Sequence, residues 1–311
     1  MRKRKSYLLI GRVVLLILPF SVPGGGFIPN GFAEPHAASY TFISVGVPNP
    51  RGELTFTSLS DINDKGEIVG GFTVGEPQGF LIDKNGRTIS IQCPGASFTA
   101  PRGINKFGEI AGGCYDGTNH AFFRDRRGTY TLIDFPDATL TEGININDRS
   151  QILGTYRDEN GVFHEFLWDN GKFSTIDIPS LPDNVINSPN SINKFGQIVG
   201  FYFDADCGCN EQGYLDNNGT LTLINFPGAE ATLPFDINNQ GEIVGVYIDS
   251  NLAHHGFLLD RDGNFTTIDV PFVGIDFTEA HGINDHKQIV GRYLNINSGN
   301  VNNYGFVATP Q

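Results

Sequence analysis

The sequence predicts an all-β chain closed into a six-bladed β-propeller of four-stranded blades. Three observations predict it: one phrase occurs six times, each repeat holds about four short β-prone segments, and an orphan strand precedes the first repeat. The first phrase reads SDINDKGEIVGGF at 60–72, RGINKFGEIAGGC at 102–114 and NINDRSQILGTY at 145–156. It returns as NSINKFGQIVGFY, FDINNQGEIVGVY and HGINDHKQIVGRY. Its asparagines, Asn63, Asn105, Asn147, Asn193, Asn238 and Asn284, are spaced 42, 42, 46, 45 and 46 apart. Composition agrees, since Gly accounts for 39 of 311 residues and Met for one, which favours tight turns over long helices.

Within a repeat the first segment ends at Ile-Asn and the second is Glu/Gln-Ile-Val-Gly. The third begins at Gln78, His120, His164, Gln212, His255 or Tyr304, and the fourth reads YTLIDFP, FSTIDIP, LTLINFP or a close variant. Asn-x-x-Gly between the first two segments supplies a turn, because Asn can hydrogen-bond its own backbone and Gly accepts left-handed angles. The glycines that follow Ile-Val, from Gly70 to Gly291, are read as packing positions where a side chain has no room. The sixth repeat stops after its third segment at Phe306, whereas YTFISVGVP at 40–48 has no repeat of its own. Using that N-terminal strand to complete the last blade leaves no open sheet edge at the seam.

Ahead of the repeats, Arg2 to Lys5 form a basic start, Tyr7 to Phe20 is apolar apart from Gly11 and Arg12, and Gly31-Phe32-Ala33 offers small residues for cleavage. The division expected is a signal peptide at 1–33, a short leader at 34–39 and one propeller domain at 40–311. The apolar stretch is too short for a membrane anchor, and no sorting tail follows Phe306. Removing the signal takes five basic residues and no acid, so the net charge moves from −13 to −18. Such a surface repels phosphate backbones, so nucleic acid is excluded as a partner. The chain is expected to be a monomer, secreted, extracellular or periplasmic.

The alternation of Ile-Asn-x-x-Gly-x-Ile-Val-Gly with His-Ala-Phe-Leu, most literal at His120-Ala121-Phe122, resembles the HAF-repeat family of exported bacterial proteins across residues 40–311. The resemblance implies an extracellular repeat protein and carries no established activity. Gln78, Gln212 and Tyr304 depart from its histidine.

No GxSxG elbow, HExxH helix, GxGxxG turn after a strand or P-loop occurs. His120, His164 and His255 share one repeat position, which a pseudo-symmetric ring holds apart, whereas His254, His281 and His286 break the pattern. Channel-facing candidates are Asp61, Arg102, Asn145, Asn190, Asp236 and His281, just before Ile-Asn. Loop candidates are Asp204, Asp206, Glu211 and His254, in the connections between second and third segments. These connections vary most: the motif Asn and the next aromatic are separated by 17, 17, 19, 21, 19 and 22 residues. Their longest members run 157–163, 204–212, 249–255 and 294–303.

Cys93 and Cys114 replace apolar residues in adjoining repeats and suggest a disulfide in an oxidising compartment. Cys207 and Cys209 suggest a small CxC ring, the alternative being a metal or redox site with Asp204 and Asp206. No cofactor is expected. Asp260 to Asn264 looks like the start of a calcium loop, but Pro271 stands where the bidentate acid belongs, and sister turns recur at Asp83, Asp125, Asp169 and Asp216. The expected function is an exported binding module for a glycan, peptide or envelope protein. The alternatives are a secreted hydrolase or lyase with its site at the channel mouth, and a structural surface or matrix component. A repeat-breaking cluster of His and carboxylates would favour the enzyme.

Overall fold

A computed structural model describes residues 14–17, 39–47, 56–74, 76–176, 178, 181–182, 184–208, 211–272, 275, 277–297 and 300–311. The described residues form no helix; they make six antiparallel sheets arranged as a six-bladed β-propeller. In blade one, Phe56–Ile62 is innermost, followed outward by Ile68–Val74, Glu76–Ile82 and Thr88–Ile91. The innermost strands of blades two to six are Phe98–Ile104, Leu140–Ile146, Val185–Ile192, Ala231–Ile237 and Thr278–Ile283.

The last blade closes as the repeat count requires. Tyr40–Gly46 pairs antiparallel with Asn300–Pro310 and becomes its fourth strand. Val14–Ile17, from the segment read as an export signal, adds a fifth strand outside it. The rest of residues 1–33, including the expected cleavage point, lies outside the described residues. The 294–303 connection is not a loop: Leu294 pairs with Asn303 and Asn297 with Asn300, which prolongs the hairpin.

The cores lie between blades. One joins Val69 and Leu81 of blade one to Ile104, Ile110 and Phe122 of blade two, and the other seams repeat the arrangement. The aromatic of the His-Ala-Phe phrase, whether Phe80, Phe122, Phe166, Tyr214, Phe257 or Phe306, is fully buried in every blade. At one seam position an aromatic pair clasps neighbouring blades: Phe135 stacks on Tyr156 at 3.6 Å, and Phe226 on Tyr247 at 3.7 Å. Cys93 and Cys114 hold the equivalent places between blades one and two. They stand in contact as expected, but the structure keeps them as free thiols rather than the expected disulfide. Their shared hydrogen bond draws the Cys93 thiol down and pushes that of Cys114 up. Cys207 is disulfide-bonded, while Cys209 lies outside the described residues.

Every innermost strand carries a β-bulge at the same place, between Leu59 and Asp61 in blade one and between Ala280 and Gly282 in blade six. The bulge explains the glycine after Ile-Val. A Cβ on Gly112 would fall 2.0 Å from the Ala100 carbonyl oxygen, and one on Gly245 2.1 Å from that of Leu233. The bulged backbone and the buried aromatic of the third strand fill the space that a side chain would take.

Candidate functional site

The six innermost strands enclose a channel whose two ends differ. At the end where those strands finish, the repeated asparagines form a closed ring. Each Nδ2 donates to the backbone carbonyl of the next blade's asparagine: Asn63 to Asn105 at 3.0 Å, Asn105 to Asn147 at 3.2 Å, and so on to Asn284, which returns to Asn63 at 3.0 Å. Each Oδ1 also accepts the N–H groups two and four residues on, as Asn63 does from Lys65 and Glu67. One residue further, the Asp148 carboxylate accepts from the Lys106 N–H, Asp285 from Asn239, and Asp64 from Asp285. Asn239 Nδ2 reaches Asp148 Oδ2, two blades away, at 3.0 Å. These bonds lace this end together around a cavity of about 60 Å³, room for a few waters.

The opposite end is open. Because the bulge inserts one residue, two successive positions per strand face the channel, the second being glycine in blades two and six, and the channel candidates fall into two tiers. Arg102, Asn190 and His281 are bulged residues at the open mouth. Asp61, Asn145 and Asp236 follow the bulge and line the throat below. The sequence reading merged the tiers and missed Ser60, Ile144 and Phe235, the other bulged residues; aligning the repeats one position earlier would have found them. All six bulged side chains line a recess of about 310 Å³ together with Ser58, Asp61 and Asn145.

The throat acids are buried and already served by donors. Asp61 accepts from the Ile62 and Ile104 N–H groups, both at 2.7 Å, and Asp236 from Ser191 Oγ and the Ile283 N–H. Burial pushes the Asp61 carboxyl well above its ordinary range, helped by the charge of Asp236; burial likewise raises Asp236 to about 6.

Beside the mouth lies a cluster of which the sequence marked only the histidines. His281 Nε2 is 3.0 Å from Glu279 Oε2, Arg292 Nε donates to the same oxygen, and His254 Nδ1 lies 3.5 Å from Oε1. Burial raises the Glu279 carboxyl, but His281 and Arg292 reverse that and hold it at about 2. His281 Nδ1 faces the Leu59 carbonyl at 3.1 Å, and Phe235 meets the imidazole edge to face. Both ring nitrogens of His281 are therefore occupied.

Three of the loop candidates, Asp204, Asp206 and Glu211, do not assemble with the channel residues. Asp204 Oδ1 accepts the Asp206 N–H at 2.8 Å, Asp206 accepts from Asn184 Nδ2 at 2.9 Å, and Glu211 is half-buried nearby in the chain. His254 turns instead to Glu279 and stacks on Phe277. The repeat histidines bind local acids: His120 contacts Asp134 and Asp116, and His255 contacts Asp269. At the turn compared with a calcium loop, Asp260 Oδ1 accepts the N–H groups of Asp262 and Asn264, as Asp83 does in its own hairpin. Among the described residues no group of three or more His, Cys, Asp or Glu is arranged to hold a metal ion.

No family model and no curated protein matches the chain. Among solved structures it is similar to a gluconolactonase from Xanthomonas campestris, with 10% identity and a TM-score of 0.53, covering 89% of this chain and 95% of that one. It is also similar to TolB from Acinetobacter baumannii, with 14% identity and a TM-score of 0.52, covering 72% of this chain. The match spans 58% of that TolB's length. At these identities the likeness shows the fold alone: the chain is a β-propeller module. No described helix is long and apolar enough to cross a membrane.

Proposed function

We propose that the protein is an exported β-propeller binding module of the HAF-repeat type that takes its ligand at the open mouth. One observation carries this reading. At a single pseudo-equivalent bulge the six blades present Ser60, Arg102, Ile144, Asn190, Phe235 and His281, six different side chains converging on one recess, while the backbone around them repeats. A mouth that merely solvated its channel would need neither the convergence nor the mixture of apolar and hydrogen-bonding groups that ligand sites use.

The cluster at Glu279 is the kind that would favour an enzyme, but its geometry supports a positioning role. A general base needs an open lone pair near the substrate. His281 spends one nitrogen on a backbone carbonyl and the other on Glu279, whose carboxylate is shared with Arg292.

The test is thermal unfolding against panels of glycans and peptides. A ligand that binds only the folded state raises its stability by about RT ln(1 + [L]/Kd). Binding at the mouth predicts a shift that Phe235→Ala or Asn190→Ala abolishes. A shift that survives both and disappears on changes at Asp204 or Asp206 would move the site to the loops.

A further inference from the structure

The open mouth does not end at its rim. A second depression of about 290 Å³ runs outward over blade one, and Ser58, Ser60 and Arg102 line both spaces, so recess and groove are continuous. We propose that this continuous cleft captures the C-terminal end of an extended peptide, with the terminal carboxylate at Arg102 and apolar side chains over blade one. The proposal rests on the open-mouth reading above and names the ligand class for it.

Gly71 is among the residues that line the groove. At the position after the packing glycine, the blades carry Gly71, Gly113, Thr155, Phe201, Val246 and Arg292 in turn. In blade six the Arg292 side chain reaches across to Glu279 and fills this space; in blade one Gly71 leaves it empty. A Cβ added to Gly71 would meet nothing nearer than the Gln78 carbonyl at 3.7 Å, so packing does not demand the glycine there. The walls include Phe56, Phe72, Phe98 and Pro101, and Phe56 is 51% exposed. Gln78, which replaces the repeat histidine, lies on the same wall.

Two features choose the occupant. Arg102 is the single charged residue among the described residues that line the groove of a protein whose net charge is −13, and Glu142, its one ion-pair partner among the described residues, lies at 3.9 Å, the far edge of such a contact. A guanidinium so placed offers a fork to an incoming carboxylate. Asn303, on the groove wall, has a buried Oδ1 with no hydrogen-bond partner among the described residues. An orphaned buried amide is costly until a ligand satisfies it. A peptide backbone supplies N–H and C=O groups for either orientation of that amide; the tail of a fatty acid supplies neither.

The test uses fluorescence anisotropy with two labelled octapeptide pools, degenerate except that the last three positions are Val, Leu or Phe; one pool has free C-terminal acids and the other C-terminal amides. The acid pool is expected to bind at least about tenfold more tightly than the amide pool. Arg102→Gln should erase that difference. Gly71→Phe, which copies the residue blade four carries at this position, should weaken acid binding about tenfold or more while circular dichroism and melting show an intact fold; Gly71→Ala, which has room, should fold as the wild type and weaken binding less. Equal affinity for acid and amide pools overturns the carboxylate capture. Binding that ignores Gly71→Phe in a folded protein overturns the groove. Decanoate that competes with the acid pool at equal affinity overturns the peptide as occupant. If neither pool binds up to about 1 mM while a panel ligand still gives a shift abolished by Phe235→Ala, the peptide inference fails and the open-mouth reading stands; if no ligand gives such a shift, both fail.

Discussion

The two ends of the channel are built from the same six strands, yet one repeats itself and the other does not. At the closed end every blade contributes the same asparagine with the same partners, and the side chains there hydrogen-bond to protein. At the open end one bulged position carries six different residues, and the neighbouring groove holds an amide oxygen, Asn303 Oδ1, with no partner among the described residues. The lesson is that repetition marks where the ring is held together, and departure from it marks where the ring meets something else. Loss at the closed end should cost stability, and loss at the open end should cost ligand.

The largest expected effect is Asn147→Ala. It removes the acceptor for the Arg149 and Gln151 N–H groups and the donor to the Asn193 carbonyl and Gln151 Oε1. Four hydrogen bonds at about 1 kcal/mol each, with buried backbone groups left unpaired, give a loss of roughly 3–5 kcal/mol in chemical denaturation. Asn190→Ala at the open mouth removes one bond, to the Pro234 carbonyl, and should cost no more than about 1 kcal/mol. Comparable losses for the two would dissolve the distinction between the ends.

This contrast also shows what could be read in the sequence. Blade number, strand count and the strand that closes the ring were legible because they depend on period and on arithmetic of segments. The asparagine was legible as a turn residue, since Oδ1 serves its own backbone, but its Nδ2 bond to the next blade was not: that partner is 42 to 46 residues away in five blades and 221 in the sixth. The bulge was invisible because it changes no residue count within the phrase, and without it Asp61 and Arg102 looked like members of one tier. Arg292 and Glu279 were missed because their meeting depends on cross-strand pairing beside His281, where the sequence marked only the histidine. Cys93 and Cys114 were paired correctly by repeat position, yet spacing carries no information on whether the bond forms.

The next effect sharpens the boundary between frame and mouth. Glu279 titrates at about 2 instead of its ordinary 4.5, so its contribution is complete above pH 4.5 and is lost as pH falls through 2. Glu279→Gln should cost on the order of 3 kcal/mol at neutral pH, from the loss of that interaction and an unpaired Arg292. The variant's stability should change less with pH between 4.5 and 2 than the wild type's. A parallel pH dependence in the two proteins would show that Glu279 is not the group responsible.

The throat gives a smaller change of opposite sign. Asp236, raised by burial to about 6 from an ordinary 3.8, contributes stability that is complete below pH 3.8 and is lost as pH rises through 6. Asp236→Asn removes the charge, can donate to Ser191 Oγ and keeps one acceptor oxygen in place of two for the Ile283 and Ile237 N–H groups. The variant should gain on the order of 1–3 kcal/mol above pH 6 and lose the slope between pH 4 and 6. A variant less stable than wild type at pH 7 would mean that the throat uses the charge of Asp236.

A similarly small stability effect belongs to Phe235→Ala, and there the comparison between the ends is most exposed. Phe235 is half-buried, sits on a bulge and packs edge to face with His281, so truncation should cost about 1 kcal/mol, well below the several expected for a fully buried phenylalanine such as Phe122. Its effect on ligand should run the other way, because an aromatic at the centre of a recess contributes most of its contact area only when a partner covers it. Measured together by denaturation and by the ligand panel, Phe122→Ala should fail on stability and Phe235→Ala on binding. If Phe235→Ala instead unfolds the protein as severely as Phe122→Ala, the bulged residues belong to the frame, and their diversity reflects local packing rather than recognition.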